Sequence, residues 1–316
     1  MRVTGRIAGS GVGASLVLSL IAGGALAGCS SSAAPSGSAT ANVSVLLTDS
    51  PFPFDQFSRA DLFIVSVAAG VDSGSGGAQC TGATVVARPG RTIDLLALQH
   101  GVTELLGTAD LPAGDYGAVC ITIDTDRSSL TMKSGTVLAH NTNPGINWSA
   151  TGQRIIKTNI FQPIGVSDSS GTILIHFDVG RSFIPSADVT PPGPANWYYY
   201  VPAIDAMDPA TVGSISGTVV DGQAGSAAVA GASVRVMVGD PSWAPDTWFV
   251  AATGATDAQG RFTLAYLAPS AHWATHGWVY TVEVYPPTMM TRAVARRSGV
   301  AVTAGSQTAI GAIPLN

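Results

Sequence analysis

The sequence predicts an all-β protein: two β-sandwich-type domains behind a cleaved lipoprotein signal peptide and a flexible tether. Three observations carry that prediction. Charged residues are only 11% of the chain against 46% hydrophobic, and 37 glycines and 19 prolines punctuate it. Low charge, many turn formers and abundant Val, Thr and Ser suit short strands better than amphipathic helices. In run after run, apolar residues recur with a period of two, and each run stops at Gly, Pro or Asp. The N-terminal stretch has the composition of a leader and a linker, so it lies outside any fold.

The leader comprises residues 1–28. Arg2 and Arg6 give it a positive start, Leu16 to Ile21 lies in an apolar run short for a bilayer, and Ala25, Ala27 and Gly28 are small. Leu26-Ala27-Gly28-Cys29 then reads as a lipobox. Its chemistry needs a thiol there, because the Cys29 sulfur receives the diacylglycerol. An ordinary secretory signal with an incidental cysteine is the plainer alternative. Lipidation at Cys29 makes the membrane a partner and places the chain in the bacterial cell envelope; Ser30, a non-aspartate after the cysteine, points to the outer membrane. Residues 29–41 form a Ser/Ala/Gly tether without apolar periodicity, expected to be disordered, with a stretched reach of about 45 Å.

The first domain spans 42–208. Asn42 to Leu47 alternates, with Val43, Val45 and Leu47 on one face. Ala60 to Ala69, Thr84 to Ala87 and Arg91 to Leu96 read as strands, and Val102 to Leu106 as one helical turn. Tyr116 to Asp124 puts Val119, Ile121 and Ile123 on one face and Cys120 and Thr122 on the other. A hairpin turns at Ser134-Gly135, and Arg154 to Ile160, Thr172 to Val179 and Trp197 to Ile204 complete the domain. Asp208-Pro209-Ala210-Thr211 marks a boundary.

The second domain spans 213–316. Gly213 to Asp221 and Ser233 to Gly239 alternate. Asp257-Ala258-Gln259-Gly260 is a turn, its Asp suited to bonding backbone amides and its Gly to positive φ, with a strand from Arg261. Trp278 to Tyr285 and Ala309 to Leu315 follow. Roughly seven strands in about 100 residues suit a small immunoglobulin-like sandwich.

With Cys29 assigned to lipid, Cys80 and Cys120 are an even pair in an oxidising compartment, and a disulfide between them is expected, with Cα atoms about 5.5–6 Å apart. The loop it closes, 40 residues in sequence, corresponds to roughly 4 kcal/mol of unfolded-state restriction. Two reduced, buried cysteines are the alternative.

Both halves resemble known families. Leu47-Thr48-Asp49-Ser50-Pro51, Ile93-Asp94-Leu95-Leu96, Leu111-Pro112-Ala113-Gly114-Asp115-Tyr116, Phe177-Asp178-Val179 with Ser182-Phe183, and Val201-Pro202-Ala203-Ile204 resemble, by their order and spacing, the bacterial domain of unknown function 4382. Ser50 stands where that family more often has alanine. The resemblance implies an exported β domain and brings no catalytic residue. Ser216-Gly217-Thr218-Val219, Gly231-Ala232-Ser233-Val234 and Thr256-Asp257-Ala258-Gln259-Gly260-Arg261-Phe262 resemble the carboxypeptidase regulatory-like modules, which are accessory sandwiches of prealbumin type. Here their usual short loops are lengthened.

Motifs of chemistry are sparse. Net charge is −5, with no basic stripe, so nucleic acid is not an expected partner. No metal or cofactor site is expected. His272 and His276 have i, i+4 spacing without a zincin's glutamate, and read as a surface loop. His176 and Asp178 share a strand face, conceivable as a catalytic pair but read as a solvated sheet face. Asp124-Thr-Asp126 and Asp168-Ser-Ser-Gly171 read as turns rather than calcium loops. Trp243, Trp248, Trp273 and Trp278 lie in or beside the two lengthened loops, Asp240–Thr247 and Ala268–Gly277. Direction counting along antiparallel strands puts those loops at one pole, opposite the Asp257–Gly260 turn. The four tryptophans are the candidate ligand-binding residues; packing inward as a small local core is the alternative.

The resulting expectation is a lipid-anchored envelope protein, not an enzyme, with a binding, adhesion or assembly role toward a glycan or an envelope protein. Carbohydrate binding through the tryptophan loops is the alternative, and a hydrolase of unrecognised type a third.

Overall fold

Strand after strand follows the apolar alternation. The computed structural model describes residues 40–50, 56–71, 80–99, 101–158, 160–167, 170–189, 191–244 and 247–316. Cys29, the leader and nearly all of the tether, His100 and Asp168 lie outside the described residues.

The first half contains β1 (Thr40–Asp49), β2 (Phe57–Val71), β3 (Thr84–Ala87), β4 (Arg91–Asp94), β5 (Glu104–Pro112), β6 (Gly114–Met132), β7 (Val137–Leu138), β8 (Ile146–Asn147), β9 (Gln153–Lys157), β10 (Ile164–Val166), β11 (Ser170–Phe177), β12 (Phe183–Pro185), β13 (Tyr198–Tyr200) and β14 (Ile204–Met207), with a short helix α1 (Val179–Ser182) after β11. One sheet runs β14-β11-β1-β5; a second is built on the long β2–β6 pair and adds β3, β4, β7, β9 and β10. Val43, Val45 and Leu47 from the first sheet meet Val119, Ile121 and Ile123 from the second in a single core. Burying each such side chain contributes roughly 2 kcal/mol. On the outer face of β6, Cys120 is bonded to Cys80, with Cα atoms 5.8 Å apart.

Three secondary-structure expectations in this half are corrected. Val102 to Leu106 forms no helical turn; β5 starts at Glu104 and pairs antiparallel with β1 from Leu47↔Glu104 to Thr40↔Pro112. A ladder with an already formed strand outweighs an isolated turn, which gains few bonds. A helical turn comes earlier, at Leu95–Leu98, so Arg91 to Leu96 is strand only as far as Asp94, whose carboxylate accepts from the Leu96 amide. Trp197 to Ile204 is not one strand. β13 joins a small sheet with β12 and β8, whereas β14 joins β11. The chain crosses between them at Val201–Ala203, where Pro202 has no N–H to offer a ladder.

The second half contains β15 (Gly213–Asp221), β16 (Ala227–Ala228), β17 (Ser233–Gly239), β18 (Phe249–Ala255), β19 (Arg261–Leu267), β20 (Val279–Tyr285), β21 (Ala295–Val300) and β22 (Gln307–Leu315), with α2 (Ser270–Ala274) between β19 and β20. Sheets β16-β15-β19, with β22 beside β15, and β18-β17-β20-β21 enclose a second core that includes Val234, Val236 and Val238. The glycine of β15 is needed for packing: a Cβ on Gly217 would lie 2.7 Å from the Phe262 ring. The Asp257 carboxylate accepts from the amides of Gln259 and Arg261, and Gly260 takes φ +70°.

Candidate functional site

Strand register fixes the ends of the second half. β17 pairs Gly239 with Val279 and Val238 with Phe249 at one end, and Ser233 with Ala255 and Tyr285 at the other. The loops after β17 and β19 therefore share the first end, and the Asp257–Gly260 turn takes the second. At the loop end Trp273 and Trp278 stack, with centroids 5.6 Å apart and planes at 19°. Trp278 also meets Phe249 at 5.5 Å and, edge-on, Trp243 at 5.8 Å. His272 lies edge-on to Trp273 at 4.5 Å, and His276 tilts against Trp278 at 5.1 Å. Phe161 of the first half reaches Trp273 at 6.0 Å.

The cluster has a buried root and an exposed crown. The Trp273 indole N–H donates to the Tyr280 hydroxyl at 2.7 Å, and that hydroxyl donates to the Ala268 carbonyl. Burial holds the Tyr280 phenol protonated well beyond the usual tyrosine range. Trp273 and Trp278 pack against the second core, whereas Trp243 and Phe249 are 44% and 56% exposed. Trp248 stands apart. Its ring covers Gly239, where a Cβ would sit 2.5 Å from the indole, and it joins no ring pair among the described residues. The surface-loop reading of His272 and His276 is corrected in part: His272 lies in α2 and His276 in the turn after it, and both imidazoles face rings. Among the described residues no group of three or more His, Cys, Asp or Glu side chains could hold a metal. The reading of Asp124-Thr-Asp126 as a turn is corrected: the three residues lie within β6, beside the irregularity where Phe63 pairs with Asp124 and Asp61 with Ser129, and there Asp124 accepts from the Asp126 amide and Asp126 from the Gly152 amide.

A second site lies where the halves meet. The expectation of a solvated face for His176 and Asp178 is corrected: they are 3% and 1% exposed. The outer face of β1, β11 and β14 is covered by the second half, with Leu46, Leu174, Met207 and Val212 packed together with Tyr266. The two residues also differ in setting. His176 stays in β11, whereas Asp178 has left the strand and caps α1, accepting from the Arg181 amide at 2.9 Å. Thr253 of β18 donates to Asp178 at 3.3 Å across the seam.

Around His176 the ladder gathers polar groups from distant sequence. Parallel pairing of β1 with β11 places Thr48 opposite His176, and Ser50 follows at the strand end. The Ser50 hydroxyl is 2.7 Å from His176 Nε2. Asp205 of β14 is the cross-strand partner of His176, with a carboxylate oxygen 3.9 Å from Nδ1. Asp49 accepts from the Val179 amide at 3.1 Å and from Gln99 at 3.4 Å. Burial, with Asp178 nearby, pushes the Asp49 carboxyl well above the usual range; burial also raises Asp178, opposed by Arg181 and His176. Asp49, Ser50, His176, Arg261 and Tyr266 line a cleft of about 320 Å³. Sequence reasoning missed Ser50, Asp205, Thr253 and Tyr266 as site residues, and Phe249 and Phe161 as ring partners. No local motif marks them, because β pairing at long range brings them together.

An all-β chain of two adjoining cores, with an aromatic end and a polar seam, is the class that fold and geometry define. Residues 40–190 match the domain of unknown function DUF4382. The match ends before Val201–Ile204 and does not reach the second half. Among curated proteins no relative matches the chain in sequence. Of solved structures, the shaft pilin SpaA from Lactobacillus rhamnosus GG is similar at 13% identity, covering 87% of this chain and 97% of that one, with a TM-score of 0.23. The Streptococcal ancillary pilin aligns at 12% identity over 89% and 63%, TM-score 0.23. The Bacillus anthracis TIE protein aligns at 10% identity over 87% and 34%, TM-score 0.22. The chain spans only 16% of the length of a 9R-lipoxygenase from Cyanothece, which aligns at a TM-score of 0.22. Alignments with TM-scores this low define neither a shared fold nor a shared function.

Proposed function

We propose that this chain is a lipid-anchored cell-envelope protein with a binding, adhesion or assembly role, and that the aromatic end of its second half makes the contact. One observation carries the reading. Trp243 and Phe249, both exposed, flank the half-buried Trp278, so a rigid base presents apolar ring area to solvent. Exposed aromatic clusters of this kind serve partner binding more often than stability. The Cys29 lipobox supports the anchor. A carbohydrate is the ligand class favoured by the arrangement, because the Trp278 ring has the polar His276 against it and the exposed Trp243 follows Ser242 in the same loop, which suits the mixed faces of a sugar.

The test pairs variants on a glycan array and in pull-downs from native envelope. Trp243→Ala with Phe249→Ala should abolish capture while leaving the melting temperature within a few degrees. Trp273→Ala should instead destabilise by about 3 kcal/mol, since it removes a packed ring and its bond to Tyr280. Retention of every captured ligand by the double variant would sink the contact surface. Cys29→Ser should release the protein from the membrane fraction or leave an uncleaved precursor; unchanged detergent partitioning would remove the anchor.

A further inference from the structure

We propose that the seam holds a nucleophile for acyl transfer, in which Ser50 attacks small esters, His176 accepts its proton and Asp205 steadies the imidazolium. This goes beyond the binding role and does not depend on it, since the aromatic end and the cleft share no residue. The geometry is the warrant. Ser50 Oγ lies 2.7 Å from His176 Nε2, the contact a nucleophile needs with its base. For Nε2 to accept, the ring must carry its proton on Nδ1, the nitrogen that faces Asp205 at 3.9 Å. At that distance Asp205 acts as a charge neighbour rather than a hydrogen-bond partner. Asp178 adds a second acidic neighbour to the same imidazole. A nucleophile, a base and a neighbouring acid are recognised by geometry and role, whatever their order in the chain. Here they come from the ends of β1, β11 and β14, so no G-x-S-x-G elbow announces them.

Two further features separate this trio from an ordinary buried hydrogen bond. Ser50 and His176 line a cleft of about 320 Å³, within the range of small-molecule pockets. Tyr266, whose φ of +64° is held by a bulge in β19, lays its ring 5.3 Å from His176 and lines the same cleft. The Ser50 amide is committed to the Phe177 carbonyl and cannot serve a developing oxyanion; Arg261, on the lining of the same cleft, is the cation closest in kind to that role.

The chemistry balances. Ser50 Oγ bonds to the ester carbonyl carbon as its proton passes to His176 Nε2. Collapse breaks the bond to the leaving alkoxide, which takes that proton. Water then attacks the acyl-Ser50 ester by the same route, releasing the carboxylic acid and restoring Ser50.

The test exposes the full chain to a fluorophosphonate, locates adducts by peptide mass spectrometry, and follows p-nitrophenyl acetate hydrolysis. The expected result is one adduct, on Ser50, with hydrolysis falling on the order of 1,000-fold in Ser50→Ala. His176→Gln should lose the adduct too. Because His176 is buried, circular dichroism must first show that variant folded; Ser50→Ala, which removes a single oxygen, decides the matter if it is not. Both results are required: no adduct on Ser50 in the folded protein, or hydrolysis equal in wild type and Ser50→Ala, overturns the proposal.

Discussion

Asp49 is where single-residue chemistry and folding are most closely linked. Its partners lie 130 and 50 positions away, at Val179 and Gln99, so nothing in the local sequence marks it. Burial raises its carboxyl well above the usual range, with Asp178 adding to the rise. The folded state thus holds a proton that the unfolded chain releases near pH 4. Stability from this group is fully present below about pH 4 and is lost as pH rises through the higher folded-state value. An asparagine at this position would need no proton at any pH. Its side-chain oxygen can still accept from the Val179 amide, and Gln99 can turn its own oxygen toward the new NH2. Asp49→Asn should therefore raise the melting temperature at pH 7, with the gain shrinking toward pH 4. A melting curve that drops equally at both pH values would mean the carboxylate is ionised and needed. Asp221 behaves in the opposite sense: Arg292 holds its carboxyl below the usual range, so its contribution is present at neutral pH and lost in acid.

At the scale of elements, a bulge in β19 does what no single strand could. Gly213 pairs with Leu267 and Ile215 with Leu264, so Ala265 and Tyr266 together oppose one residue of β15. The extra residue turns Tyr266 out of its own sheet and onto Leu174, Met207 and His176 of the first half. Its φ of +64° is the local cost of that turn. Glycine carries no such cost. Tyr266→Gly and Tyr266→Ala both lose the packing, but only alanine keeps the strain. The glycine variant should be more stable by about 1 kcal/mol, the reverse of their usual order in a strand, measured by urea unfolding. Alanine equal to or above glycine would show that the backbone relaxes freely. The bulge also marks how far the sequence could be read. β15 and β17 were legible because Ile215, Val219 and Val234, Val236, Val238 alternate cleanly against one core. β18, with Ala-Ala-Thr-Gly-Ala at its heart, carries too little apolar contrast to alternate visibly, so Phe249 and Thr253 escaped notice. β21 is a largely exposed Ala-Arg-Arg-Ser-Gly-Val edge, without apolar alternation, whose pairing with β20 is reinforced by Arg296 donating to Glu283 and Thr281 donating to Ser298. The aromatic end was legible because loop order in an antiparallel sandwich decides which loops share a pole. The seam was not, since Ser50, His176 and Asp205 meet only through β1–β11–β14 pairing.

For the whole molecule the question is what the seam contributes. The sheets of the second half close among themselves, and its core draws on residues from Ile215 to Leu315 alone. The boundary is short and ordered: Asp208 accepts from the Ala210 amide and caps the Pro209–Thr211 turn. Yet the halves also share Leu46, Leu174, Met207, Val212 and Tyr266, the Asp178–Thr253 bond, and the contact of Phe161 with Trp273. A chain of residues 213–316 should accordingly fold alone, because every β ladder it needs is internal. It should also melt lower than the full chain, because freeing Tyr266 and Thr253 removes buried area at roughly 25 cal/mol per Å². Calorimetry checks both points. One cooperative transition at reduced temperature is the expected outcome for the fragment. In the full chain that transition should move upward and coincide with that of the first half, since the seam couples them. A fragment without cooperative unfolding would show that the second core depends on the first. A fragment melting where the full chain does would show that the seam is contact without coupling, and the polar groups around His176 would then owe their order to the first half alone.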